Sequence, residues 1–253
     1  MSLDLSPAPG AAPAARRVLA YAGLELRQQL RNGEQLLLTL VIPVGALVLF
    51  TTVPVLPLGS DRIGSLTPGI MALAVMSTAF TGQAIATGFE RRYGALKRMG
   101  ATPLGRGGLL TGKTLAVLAV ELFQLAVICG VAAGLGWRPE GDVAFAVLLL
   151  VLGTAAFSAF GLLLAGTLRA EATLATANLV YVVLLVVGGI VVPLRVFPGG
   201  LATALRALPI NALAEGLRSV LQGHGGFPLV DVLVLAAWAV AGLLLASRTF
   251  RWE

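Results

Sequence analysis

Six apolar stretches, each long enough to cross a lipid bilayer as a helix, dominate this sequence of 253 residues. A helix needs about 20 apolar residues to cross a hydrocarbon core roughly 30 Å thick. With 57% hydrophobic and only 12% charged residues, the chain cannot cover so much apolar surface as a soluble fold. The sequence therefore predicts an all-α integral membrane protein with six transmembrane helices. The predicted spans are residues 35–57, 66–89, 110–135, 143–168, 173–193 and 229–247.

The segment before the first span is amphipathic. Residues 1–15 are rich in Pro, Ala and Gly and are predicted to be a disordered tail without a signal peptide. Residues 16–34 carry apolar side chains at helical spacing, with most polar side chains off that stripe, which predicts a helix in the membrane interface. A soluble extension that packs on itself is the alternative. The stripe consists of Leu19, Ala22, Leu26 and Leu30.

One further stretch, residues 195–228, is apolar but interrupted by charges. It contains Arg206, Glu215 and Arg218, and a charge at the centre of a membrane helix costs about 2.5–3.5 kcal/mol on insertion scales. A seventh span is therefore not expected. We predict two short amphipathic helices, separated near Pro209, that rest in or on one membrane interface.

The basic residues are distributed unevenly between the two sides of the predicted membrane domain. With the N-terminus in the cytoplasm, 13 of the 18 Lys and Arg residues lie on the cytoplasmic side and 5 lie outside. The positive-inside rule then predicts that both termini are cytoplasmic, which an even number of spans allows. The same rule explains the net charge of +6, so nucleic acid is not an expected partner. The abundance of Ala, Gly, Leu, Val and Arg suggests a bacterial plasma (inner) membrane.

The most informative polar segment, residues 89–106, connects the second and third spans. It holds five basic residues in sixteen consecutive positions. Leu96 and Met99 can form one apolar face of a short helix, which Thr102 and Pro103 would end. A short helix with an apolar face and a basic rim is a candidate docking surface. An anchor that only fixes the membrane orientation is the alternative.

The segment and the start of the next span contain, in order, Glu90, Arg91, Gly94, Leu96, Thr102, Pro103, Gly112 and Lys113. This order resembles a loop of the type-2 ATP-binding-cassette (ABC) permeases. The loop has the form Glu-Arg-x-x-Gly-x-Leu-x-x-Leu-x-x-Thr-Pro and is followed by Gly-Lys near the next span. Met99 stands where the family usually has leucine. A later family pattern, a proline that ends the fifth span followed by a polar region, resembles Pro193, Pro198, Pro209, Glu215 and Arg218.

The resemblance covers nearly the whole chain and implies the permease subunit of an ABC exporter, with residues 35–253 as its membrane domain. Two permeases, identical or homologous, would form a pathway at their interface within the membrane lipids. A separate ATPase subunit would bind ATP and Mg²⁺ and dock beneath each permease. This chain is therefore expected to have no catalytic residue, metal site or cofactor of its own. Family members mostly export drugs, antibiotics, lipids or polysaccharides, so efflux and antibiotic resistance are among the expected roles.

The resemblance also assigns roles to two segments. Residues 90–103 would be the coupling helix that sits in a cleft of the ATPase. Residues after Pro193 would form a re-entrant region in the outer leaflet.

A phosphate-loop pattern, G-x-x-x-x-G-K-[ST], occurs at residues 107–114. A nucleotide-binding loop joins a buried strand to a helix of an α/β domain, whereas this segment follows a basic loop and opens a membrane span. Nucleotide binding is therefore not expected here. Lys113 is interpreted instead as a side chain that extends to the cytoplasmic interface.

Glu121 lies eight residues beyond Lys113, about 12 Å deeper along a helix. An acid at that depth is expected to face protein or water. It can bind a cationic substrate, relay a proton or pair with a basic residue, and Asn178 and Gln83 are candidate partners. A satisfied contact between helices is the structural alternative. Small residues along the spans also predict close helix packing: Gly130, Gly134, Gly161 and Ala165.

Two other functional classes have less support in the sequence. An ATP-independent transporter or channel often shows internal repeats, and none is apparent here. An intramembrane lipid-modifying enzyme needs clustered acids, histidines or metal ligands. The sequence has one histidine, His224, and one cysteine, Cys129, and adjacent spans hold no paired carboxylates.

Overall fold

The computed structural model describes residues 10–53, 61–190, 198–223 and 226–249. Within these ranges the chain is helical and has no strand. A π-helical segment, Met76–Gly82, joins two of the helices without a break. The predicted end of the fifth span at Pro193 lies outside the described residues. The helices are α1 Ala14–Arg31, α2 Gly33–Thr52, α3 Arg62–Val75, α4 Gln83–Arg92, α5 Ala95–Gly100, α6 Gly105–Gly134, α7 Val143–Thr167, α8 Ala170–Val187, α9 Gly199–Arg206, α10 Pro209–Leu221 and α11 Leu229–Thr249.

Helices long and apolar enough to cross a membrane occur at five places in the described chain. They are the continuous stretch Arg62–Arg92, which contains α3, the π-helical segment and α4, together with α6, α7, α8 and α11. A shorter apolar helical stretch, Thr39–Thr52, forms most of α2. These six elements correspond to the six predicted spans. The all-α membrane fold is therefore confirmed.

The second span lies at the centre of the bundle. α3 is buried from Gly64 to Val75 and packs against α2, α6, α7 and α10. At Gly161 of α7, an added Cβ would lie 2.8 Å from the carbonyl oxygen of Phe80, so α7 approaches the π-helical segment closely. The predicted close packing at Gly161 is therefore confirmed.

Gly130 and Gly134 of α6 show no such packing within the described chain. Both are exposed, and no described atom lies within 4 Å of a Cβ added at either glycine. The spacing of small residues shows that a helix could pack closely there, but it does not determine which of its faces meets a neighbour within the chain.

Large apolar side chains cover the outside of the bundle. Leu179 and Val186 of α8 are exposed, as are Val41 of α2 and Leu243 of α11. In water such a surface would be unfavourable, whereas lipid solvates it. The outer surface thus agrees with the hydropathy of the spans.

One end of the bundle brings distant parts of the chain together in a small apolar cluster. The cluster unites α1, α5, the start of α6, the end of α7 and the end of α11. The N-terminal helix, the segment 89–106 and the last turns of α11 therefore lie at the same end. The buried members of this cluster are Tyr21, Leu96, Leu109, Leu110, Leu162 and Ala246.

The opposite end contains α9 and α10, which are separated at Pro209 as predicted. The sequence places both helices at an interface, but α10 is buried among α3, α7 and α11, whereas α9 is largely exposed. Apolar side chains of α10, Leu213 and Leu217 among them, are fully buried, and the guanidinium of Arg218 can be buried with them because it is paired. Its Nε donates to the carbonyl oxygen of Ser65 at 3.0 Å, its Nη2 donates to that of Ile190 at 2.6 Å, and its Nη1 pairs with Glu215 at 2.8 Å. These bonds satisfy the buried charge.

Gly69 provides a test of this packing. A Cβ at this position of α3 would lie 1.8 Å from the carbonyl oxygen of Ile190 and 2.8 Å from Nη2 of Arg218. We expect Gly69→Ala to lower stability by about 1–3 kcal/mol, because the backbone must move to relieve the overlap. Thermal unfolding of the purified protein in detergent measures this change. Gly130→Ala, at an open helical position, is the matched control and should be neutral or slightly stabilising.

Candidate functional site

The connection between α4 and α6 is a compact segment with a short helix at its centre. α4 ends at Arg92, and Gly94 then takes a left-handed conformation with φ of +71°. Glycine adopts this conformation without steric cost, so the chain can reverse before α5 begins at Ala95. We call residues 89–106 the coupling segment.

The apolar face of α5 points into the protein. Leu96 is buried in the apolar cluster at this end of the bundle, and Met99 packs against the same cluster. Lys97 and Arg98 are exposed on the other face, as is Pro103. The expectation of an apolar docking face is thus corrected. Leu96 and Met99 hold the helix in place, and the outward surface is basic and polar.

Lys113 of α6 lies between two carboxylates. Its Nζ is 2.6 Å from Oε1 of Glu25 in α1 and 2.7 Å from Oε2 of Glu90 in α4. The side chains of Lys113, Glu25 and Glu90 are 1%, 7% and 15% exposed. We call these three residues the triad.

The triad corrects the interpretation that Lys113 extends to the membrane interface. A buried ammonium is costly unless it is paired, and two carboxylates supply that pairing inside the protein. Tyr21 completes the group, since its hydroxyl donates to Oε2 of Glu25 at 3.1 Å. Burial and, less strongly, the charges of Glu25 and Glu90 raise the pKa of Tyr21, so it remains a neutral donor.

Further bonds hold the coupling segment to the rest of the bundle. Arg17 of α1 donates to the carbonyl oxygen of Pro103. Arg91 donates to the carbonyl oxygen of Leu168, and Arg92 pairs with Glu171 at the start of α8. Together with the triad, these bonds connect the segment to α1, α6 and the connection between α7 and α8. A displacement of the segment would therefore act on several spans.

Sequence reasoning missed Glu25 and Arg17. Glu25 is three residues from Ala22, which belongs to the apolar stripe of α1, and both are buried against α6. An acid beside an apolar stripe indicates that a partner is needed. The identity of that partner, 88 positions away, depends on how α1 packs and is not encoded in the local pattern.

The phosphate-loop pattern lies inside α6. Its helical backbone lacks the strand-to-helix loop that cradles a phosphate. Gly112 has a packing role instead, because a Cβ there would lie 2.6 Å from the ring of Tyr21. The glycine lets α1 approach α6, and Lys113 then reaches Glu25 of α1.

The polar residues predicted to act together within the spans occupy separate places. Glu121 is buried and accepts a hydrogen bond from Thr154 of α7, and its Oε1 has no partner among the described residues. Gln83 is buried and accepts from Ser158 at 2.5 Å. Asn178 is exposed and donates to a carbonyl of its own helix. The prediction that Asn178 and Gln83 are partners of Glu121 is therefore wrong.

A comparison with protein-family models supplies the deciding observation. The model of the ABC-2 type transporter matches residues 17–221, which include most of α1, the triad, the coupling segment and α10. The chain belongs to the ABC-2 type transporter family. No curated protein matches it. The protein is thus the membrane-spanning permease of an ABC transport system, and the resemblance seen in the coupling segment is confirmed at the level of the family.

Proposed function

We propose that this permease is the pathway-forming subunit of an ABC exporter, driven by a separate ATPase subunit that docks on the coupling segment. One observation carries the proposal. The coupling segment exposes a basic, polar surface and is bonded to α1, α6 and the α7–α8 connection. An ATPase that moves this surface would move spans on several sides of the bundle.

The proposal assigns a role to each residue of the coupling segment that the family pattern marks. Glu90 and Arg91 transmit movement, because they contact α6 and the α7–α8 connection. Gly94 sets the direction of α5, and Leu96 and Met99 anchor it. The exposed Thr102 and Pro103 belong to the surface that meets the ATPase.

The partner subunit would bind ATP and Mg²⁺, and a second permease, identical or homologous, would complete the pathway. The exposed apolar faces of α2 and α8 support such a pairing, since they can meet either lipid or another copy. The end that carries the coupling segment would face the cytoplasm of a bacterium, with both termini on that side. The residues after Pro193, including α9 and α10, would form the outer re-entrant region.

Purification of the tagged permease from its native membrane in a mild detergent tests the proposal. We expect an ATPase subunit to copurify and the complex to hydrolyse ATP, whereas the permease alone should not. A charge reversal at the triad, Glu90→Lys, should uncouple hydrolysis from transport while the protein remains in the membrane. Recovery of the permease without any nucleotide-hydrolysing companion would count against an ATP-driven exporter and favour an ATP-independent transporter or channel.

A further inference from the structure

A cavity of about 820 Å³ opens between α1 and α2 on one side and the π-helical segment, α4 and α8 on the other. Its volume lies within the range of about 300–1,000 Å³ that is common for small-molecule sites. The π-helical segment lines one wall, and such segments often occur at functional sites. We call this cavity the cleft. Its lining includes Glu25, Gln29, Thr81, Glu90, Asn178 and Tyr181.

The charge presented to the cleft is negative. Glu25 and Glu90 line its wall, whereas Lys113, which pairs with both, is buried behind them. With both carboxylates ionised and the ammonium between them, the triad has a net charge of minus one. None of the described residues that line the cleft is Lys or Arg. The charged groups on the lining therefore favour a cation over an anion.

The remaining lining favours an organic cation over a metal ion. Ile42 and Ile85 add apolar surface, and the rings of Phe89 and Tyr93 stack with their centroids 6.2 Å apart. Aromatic faces attract organic cations, and apolar walls hold their hydrocarbon parts. A metal ion needs a compact set of ligands, and the described residues contain no group of three or more His, Cys, Asp or Glu that could hold one.

We propose that the cleft binds an amphipathic organic cation with a single positive charge, and that such cations are the substrate class of this permease. That these cations are transported rests on the proposed function, whereas their binding requires no ATPase. The triad then has two roles. It holds the coupling segment to α1 and α6, and it supplies the charge that selects the ligand.

Tetraphenylphosphonium and tetraphenylborate test the proposal, because they have the same four phenyl groups and opposite charges. The purified permease, in nanodiscs of zwitterionic lipid and without ATPase, is titrated with each ion, and protein-free nanodiscs correct for partitioning. We expect saturable binding of the cation and at least tenfold weaker binding of the anion. Equal affinities, or no saturable binding of the cation, would overturn the proposal.

Asn178 allows the charge of the cleft to be changed in both directions. It lines the cleft but is exposed, and its side chain bonds within its own helix, so substitution disturbs little packing. We expect Asn178→Lys to weaken binding of tetraphenylphosphonium at least tenfold and Asn178→Glu to strengthen it severalfold. A folding defect would instead weaken binding of tetraphenylphosphonium in both variants. Ala172→Lys, at an exposed position of α8 outside the cleft, should leave binding unchanged.

The outcomes separate this inference from the proposed function. If tetraphenylphosphonium binds equally to the Asn178→Lys and Asn178→Glu variants, the proposed substrate class is overturned. Copurification of an ATPase would still support the exporter. Selective binding of the cation, together with failure of any ATPase to copurify from native membranes, would leave the site in place and contradict the exporter.

Discussion

Lys113→Gln is expected to destabilise this permease by about 3–5 kcal/mol, because it leaves Glu25 and Glu90 close together in the protein without their shared cation. Removing one partner of a buried ion pair has effects of this size, since the remaining charge stays desolvated. The triad also joins α1, α4 and α6, so the loss should separate α1 from the bundle. Thermal unfolding in detergent, followed by intrinsic fluorescence, measures the change.

The exposed pair Arg92–Glu171 provides the matched control. Its side chains are 51% and 64% exposed, and surface pairs of this kind contribute only about 0–1 kcal/mol. Arg92→Gln should therefore have little effect on unfolding. Adding Glu25→Gln to Lys113→Gln removes one of the two opposed carboxylates and should restore part of the lost stability. If Lys113→Gln unfolds at the same temperature as Arg92→Gln, the triad does not stabilise the fold.

Gly94→Pro is expected to reduce transport more than tenfold while the protein still inserts into the membrane. Proline fixes φ near −65°, and Gly94 has φ of +71°, so the chain can no longer reverse before α5. The exposed surface of α5 would then point away from its present direction. Transport into inverted vesicles and ATP hydrolysis, measured on the same preparation, give the ratio of the two activities.

Gly136→Pro is the control for Gly94→Pro. Gly136 also has a positive φ, of +97°, and no described atom lies within 4 Å of an added Cβ at either glycine. Each backbone N–H also donates to a nearby carbonyl, of Arg91 for Gly94 and of Ala133 for Gly136. Gly136 lies after α6, away from the coupling segment. The two variants should lose similar stability, but only Gly94→Pro should uncouple hydrolysis from transport. An equal ratio of transport to ATP hydrolysis in the two variants would contradict the role of the coupling segment.

The positions of the spans were predictable because lipid imposes a simple length and composition on each. The break at Pro209 was also predictable, because charged residues and a proline interrupt an apolar run there. Burial of α10 was not predictable, because it depends on Arg218 finding backbone carbonyls of Ser65 and Ile190. These groups lie up to 153 positions away in the sequence.

The position of the candidate site along the chain was predictable, but its side-chain contacts were not. The basic residues and the family pattern identified the coupling segment, whereas the inward direction of Leu96 depends on how α5 packs against the apolar cluster. The ion pairs of Lys113 likewise require the relative rotation of α1, α4 and α6, which hydropathy leaves open. The hydrogen-bond partner of Glu121 was not predictable either, because Thr154 lies on a different span.

Site-directed crosslinking tests most directly the claim that an ATPase acts through residues 89–106. With Cys129→Ala as the background, Arg98→Cys on α5 and Arg138→Cys at the other end of the bundle place a photoreactive label at two exposed positions. After illumination of native membranes, we predict that the label at position 98 captures a protein with the sequence of an ABC ATPase and that the label at position 138 does not. Capture of an ATPase from neither position, or from position 138 alone, would contradict the account.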